Sequence, residues 1–257
     1  MTKNQEVLNL AVLAGEILIK NGGELYRVED TIMHIVEAYG ITDYNVYVLS
    51  NGIFANIEEK GNEPYSVVRH VSFGNTNLER IAAVNQLSRE ICQQKYTPAE
   101  AMEKMQACNH LKPRSLLTRC LASGFGCGAF SMLFGGTALD SLFAFFIGII
   151  LQLFLHYSLT RKSSQFFDSI AASALVTALS VFLFAVHIPV NVDKIIIGCI
   201  MPLVPGLALT NSIRDFFNSD YLSGVIHMVN ALLTALCIAV GVGSIMTFYQ
   251  FLGGSLL

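Results

Sequence analysis

The chain changes rhythm twice. From Val7, apolar residues recur at helical spacing through Leu10, Ala11, Ala14, Ile17 and Leu18, and Asn21-Gly22-Gly23 ends the helix that this spacing predicts. A second helix is predicted from about Leu25 to Tyr39, with Val28, Ile32, Ile35 and Val36 facing inward and Gly40 at its end. Three short stretches rich in Val, Ile, Phe and Tyr follow, at residues 44–49, 53–58 and 65–71, separated by Ser50-Asn51-Gly52 and Lys60-Gly61-Asn62. They predict an antiparallel meander. Helical spacing returns over residues 78–92, and Thr97-Pro98-Ala99-Glu100 supplies a capping Thr with Pro at the first helical position. Residues 1–112 thus read as an α+β domain.

Beyond Pro113 the pattern is different. Apolar segments run over about 116–134, 141–159, 169–186, 195–210 and 224–249. Each is close to the ~20 residues that a helix needs to cross ~30 Å of hydrocarbon. The fold class this predicts is an α-helical polytopic membrane protein of about five transmembrane helices over residues 113–257, preceded by an α+β domain. Basic residues set the orientation, because loops facing the cytoplasm are enriched in Lys and Arg. Lys112, Arg114 and Arg119 precede or open the first crossing, Arg161 and Lys162 follow the second, and Arg214 follows the fourth. The loops 135–140 and 187–193 hold no Lys or Arg, although Lys194 borders the second. The expectation is a cytoplasmic N-terminal domain and an outside C-terminus in a multi-pass inner-membrane protein. The first twenty residues carry amphipathic spacing and acids rather than a basic head and a pure apolar core, so no cleaved signal peptide is expected.

Composition agrees with lipid as solvent: mean hydropathy is +0.53 and 14% of residues are charged, most of them before Ser115. The net charge of −3, without a Lys/Arg run, argues against a nucleic-acid partner. The six cysteines form no CxxC pair, so neither a metal site nor a disulfide framework is expected, and no cofactor motif is present. Neither HExxH nor GxSxG occurs, which leaves a membrane-embedded hydrolase without a motif and predicts no catalytic residues.

Candidate chemistry concentrates in the fourth apolar segment, where Met201-Pro202-Leu203-Val204-Pro205-Gly206 places two prolines and a glycine. Proline removes backbone hydrogen bonds that lipid cannot replace, so such a break is tolerated mainly where protein or water satisfies the freed carbonyls. Broken helices mark solute sites in transporters because half-helix ends present partial charges. The other reading is a helix that simply ends near Met201. Ser169, Ser173, Thr177 and Ser180 form a polar stripe on the third crossing, and His227, Asn230, Thr234 and Gly241 form one on the fifth. Both readings of such stripes stand at this point, a solute path or helix-to-helix glue. Gln152 and His156 share a face of the second crossing, and Gly124 with Gly128 on the first predicts close helix packing. In the first domain, Gly22-Gly23-Glu24-Leu25-Tyr26-Arg27-Val28-Glu29-Asp30-Thr31 sets four charges between two helices, with Glu24 and Arg27 spaced to pair on one face.

That last stretch, together with Pro202-Leu203-Val204-Pro205-Gly206-Leu207-Ala208-Leu209-Thr210-Asn211-Ser212-Ile213-Arg214-Asp215, resembles the threonine/serine exporter family over nearly the whole chain. The likeness is to its shorter, split members, in which a domain-bearing subunit of about five helices pairs with a small membrane subunit. Ser219-Asp220 departs from the Gly-Asp of the family pattern, keeping the acid but altering the turn. The resemblance implies an oligomeric secondary transporter half that exports threonine and serine, or a small dicarboxylate such as succinate. Pro202, Pro205 and Gly206 would open the helix, Thr210 and Asn211 would hydrogen-bond the substrate, and Arg214 with Asp215 would meet its charged groups. Asp220, Glu24, Arg27 and Glu29 are the candidate coupling or regulatory residues. The rival reading makes the first domain a ligand sensor, with Glu24, Arg27 and Glu29 as its site and the helices as an anchor.

Overall fold

A computed structural model describes residues 2–58, 63–72, 74, 76–112, 114–160 and 164–253. The predicted turn at Lys60-Gly61-Asn62 and the basic pair Arg161-Lys162 lie outside the described residues. The chain forms two compact units, one of Met1–Lys112 with Leu207–Met228 and one of Pro113–Gly206 with Val229–Leu257.

The first unit is built around α1 (Lys3–Lys20), opened by a capping box between Thr2 and Gln5. Its burial goes well beyond the amphipathic stripe that the spacing predicts: Leu8, Val12, Gly15 and Ile19 are buried as well as the inward positions. A helix apolar on nearly every side is a core helix, and α1 touches α2 (Leu25–Ala38), β2 (Gly52–Ile57), β3 (Tyr65–His70), α3 (Leu78–Cys92) and α4 (Pro98–Asn109). With β1 (Tyr44–Leu49) the strands form an antiparallel sheet in the order β1-β2-β3. α4 starts as its sequence requires, with Thr97 and Glu100 in a capping box and Pro98 in the first turn.

The second unit holds α5 (Leu116–Leu133), α6 (Ala138–Thr160), α7 (Gln165–Ala185), α8 (Val192–Ile200), the short 3₁₀ turn Met201–Leu203 and the larger part of α10 (Tyr221–Phe251). Among the described residues, Leu116–Leu133, Ala138–Ser158, Gln165–Ala185 and Tyr221–Phe251 are each long and apolar enough to cross a membrane. A fifth span counts only if Val192–Leu203 and Gly206–Phe217 are taken together. The protein is a multi-pass membrane protein. The fifth crossing, predicted from about residue 224, begins at Tyr221. Its 31 residues make ~46 Å of helix, longer than the hydrocarbon, and the extra turns at Tyr221–Met228 pack within the first unit.

Small residues let these helices approach closely. A Cβ on Gly124 would stand 2.9 Å from the Phe145 carbonyl oxygen, and one on Gly198 would stand 2.7 Å from the Ser131 nitrogen. Gly241 leaves no room either, because a Cβ there would collide with Ser173 Oγ and the Ile170 carbonyl. The polar stripe on α7 turns inward on its own helix: Ser169, Ser173, Thr177 and Ser180 hydroxyls donate to the Gln165, Ser169, Ser173 and Val176 carbonyls. All four are buried, so the stripe glues helices and does not line a solute path in this conformation. Asp140 is fully buried and accepts from the Thr137 and Asn191 backbone N–H groups at 2.7 and 2.8 Å. It also accepts from the Thr137 hydroxyl and the Asn191 amide, which fastens the α5–α6 turn to the start of α8.

Candidate functional site

Two helix ends in the first unit create the site. α1 finishes in a Schellman turn: the Gly22 N–H donates to Ile19 and the Gly23 N–H to Leu18, with Gly22 at φ 87°. Only glycine adopts that φ without penalty. Gly23 is needed for a different reason, since a Cβ there would stand 2.9 Å from the Leu18 carbonyl oxygen. The two glycines bend the chain so that Glu24 stands at the N-cap position of α2, its side chain making no capping bond.

The second end belongs to α9 (Gly206–Phe217). α8 stops at Ile200, the Met201–Leu203 turn follows, and Val204 is extended at φ −63°, ψ 129° before helix resumes at Gly206. After the end near Met201 the chain does not continue as a loop, since helix resumes as α9, and the two helices count as one span only if taken as a bent pair. A residue before proline avoids helical ψ, which is the local cause of the break at Val204-Pro205. α9 in turn closes with a Schellman turn, in which the Ser219 N–H donates to Phe216 and the Asp220 N–H to Asp215 at 2.9 Å. Ser219 sits at φ 67°, a position that favours glycine, so the expected Gly-Asp has a backbone reason and serine is strained there.

These turns bring the two sequence stretches together. The Asn211 amide donates to the Gly22 carbonyl at 3.4 Å. Arg214 pairs with Glu24 Oε1, and its guanidinium carbon lies 5.9 Å from the Tyr26 ring centre. Arg27, the partner that spacing predicts for Glu24, reaches only 4.0 Å from Oε2. Asp215 is buried and its Oδ2 lies 2.8 Å from His227 Nδ1. The α9 turn holds Asp220 near Asp215. Burial, and then the Asp215 charge, pushes the Asp220 carboxyl above its ordinary range. Burial, followed by Asp220, does the same to Glu29.

Of the predicted residues, Asn211, Arg214, Asp215, Asp220, Glu24, Arg27 and Glu29 thus share one region. Thr210 is exposed, its hydroxyl donating to the Leu207 carbonyl at 3.1 Å. Pro202, Pro205 and Gly206 belong to the second unit and shape the helix break; Gly206 has open space around it. Sequence reasoning placed His227 on a membrane stripe and missed its pairing with Asp215, which needs the α9–α10 turn. Gln152 and His156 are half-buried on α6 in the second unit. No group of three or more metal-ligating side chains occurs among the described residues.

The sequence matches the threonine/serine exporter family over residues 9–249. The chain belongs to the threonine/serine exporter family. Its members are transporters and not enzymes. A relative described as a threonine/serine exporter, from Corynebacterium glutamicum, is 27% identical over 175 residues, 66% of this chain. The chain spans 36% of that relative's length. No solved structure matches it. The two stretches that meet at Glu24 and Arg214 are those that carry the family resemblance in the sequence.

Proposed function

We propose that the chain is the domain-bearing half of a secondary transporter that exports a small polar metabolite across the inner membrane. Residues 1–112 face the cytoplasm, residues 113–257 supply about five crossings, and the C-terminus lies outside. A second small membrane subunit supplies the remaining helices of an oligomer. The observation that carries this reading is the meeting of Gly22–Thr31 with the helix that follows the proline break, through Asn211–Gly22 and Arg214–Glu24. A soluble-domain element held on the restart of a broken membrane helix suits solute gating better than an inert anchor.

In this reading Thr210 and Asn211 offer hydrogen bonds, Arg214 meets the substrate carboxylate and Asp215 its ammonium. Asp215 and Asp220 handle the coupling proton or cation. Carboxylates outnumber guanidinium groups here, Glu24, Glu29, Asp215 and Asp220 against Arg27 and Arg214, which favours a zwitterion such as threonine or serine over a dicarboxylate.

The test is efflux of preloaded labelled threonine, serine and succinate from cells expressing the chain with and without a five-helix partner, each also with Arg214→Ala and Asp215→Ala. Partner-dependent efflux of one amino acid, lost in both variants, is expected. No efflux of any of the three with a verified partner present would move the function to the sensor reading.

A further inference from the structure

Within the first unit a cavity of about 120 Å³ opens where the end of α1, the start of α2, α3 and α9 converge. Leu18, Val28, Ile81 and Leu207 make its wall largely apolar, and Glu24, Arg27, Asn85 and Asn211 bring four polar side chains to it. Mostly apolar pockets with a few convergent polar groups are the usual form of a small-molecule site. At ~30 Å³ of liquid volume per water, the space equals about four waters, or a solute of roughly half a dozen non-hydrogen atoms.

The second observation is electrostatic. Glu24 Oε2 is buried and, among the described residues, accepts no hydrogen bond, while Oε1 is taken by Arg214. Arg27 Nε stands 4.0 Å from Oε2, at the outer limit of an ion pair. A buried carboxylate oxygen without a donor is costly, and an ammonium placed in the cavity would relieve it. Arg27 is more than half exposed and keeps its guanidinium donors for a carboxylate. A dianion would meet Glu24 and a diamine would meet Arg27, so a molecule carrying both charges fits where either extreme does not. Arg27 and Asn85 also border a wider groove of about 490 Å³, which adjoins the cavity.

We infer that this cavity of the first unit, with Asn211 of α9 on its wall, is a binding site for a small zwitterion with adjacent ammonium and carboxylate groups. Because Glu24 holds Arg214 and Asn211 lines the cavity, its occupancy acts on α9 and so regulates the helix restart. That regulatory consequence rests on the transport reading; the binding does not.

The experiment is equilibrium dialysis of the full chain, purified in detergent, against labelled L-serine, L-alanine, succinate and putrescine at neutral pH. Saturable binding of one L-serine or L-alanine per chain is expected, with succinate and putrescine at least tenfold weaker. Glu24→Gln and Arg27→Gln should each weaken the zwitterion about tenfold or more, and Arg27 is exposed enough that its variant folds. Absence of zwitterion binding, equal binding of succinate, or binding unchanged in both variants would overturn the site. Efflux measured beside it separates the two ideas: efflux without this binding removes the cavity proposal alone, and binding without efflux removes the transport reading alone.

Discussion

The two compact units treat their polar residues in opposite ways. In the second unit, Ser169, Ser173, Thr177 and Ser180 spend their hydroxyls on their own helix, and Asp140 is saturated by Thr137 and Asn191. In the first, Glu24 pairs with Arg214 from far along the chain, Asp215 pairs with His227 across the α9–α10 turn, and one oxygen of Glu24 goes without a hydrogen bond. A polar group whose acceptors are all taken holds a structure together, whereas a charge with an acceptor left over can receive a ligand's donor. Position in an apolar helix is therefore a poor guide to function in this chain, and the identity of the hydrogen-bond partner is a better one.

The largest effect is expected from disturbing the second unit's packing. Gly241→Leu should prevent a folded, monodisperse chain in detergent, because even a Cβ collides with Ser173 and Ile170. Size-exclusion chromatography that shows a normal species would contradict the close approach. Asp140→Ala removes the acceptor from four donors and should cost about 3–5 kcal/mol in denaturation from mixed micelles, with Asp140→Asn losing less.

Arg214→Ala tests the other side. Its side chain is 48% exposed, so its stability cost should stay within about 1 kcal/mol while efflux falls at least tenfold. Ser180→Ala is the matched control in the second unit, with efflux unchanged; a large loss there would restore the solute-path reading of the stripe.

A pH series sharpens the electrostatics. Glu29 and Asp220 bind protons more tightly in the folded protein than in the unfolded chain, with Asp215 and His227 of α9 and α10 facing the cluster. The folded state therefore holds more protons between the ordinary carboxylate range and the raised values, and stability falls as pH rises through that window. Asp220→Asn should flatten the fall by removing one group and relieving Glu29; melting curves with an unchanged slope would speak against it. The smallest effect is expected from Ser219→Gly, which relaxes a left-handed backbone and should stabilise the chain by about 0.5–1 kcal/mol.

Much of the fold was readable residue by residue. The caps at Thr97 and Pro98, the stop at Gly22, the three strands and the long apolar segments all depend on interactions within a few positions of one another. The break after Pro202 was readable for the same reason, since proline acts on its own turn and the residue before it. The partners of charged residues were not. Glu24 has Arg27 three positions away, yet Arg214 takes the closer place, and nothing in local spacing distinguishes the two.

Which stretches are helix or strand, which segments are apolar enough for lipid, and which family the chain resembles were legible in the sequence, because propensity, capping and hydropathy are short-range properties; ends such as Tyr221 were not. The folded chain was needed to show that α1 is a core helix, that the polar stripe of α7 is buried, and that α9 stands against the Gly22–Glu24 turn. Those outcomes depend on which surfaces meet, in the last case 189 positions apart, and burial, pairing and cavity shape exist only once they have met.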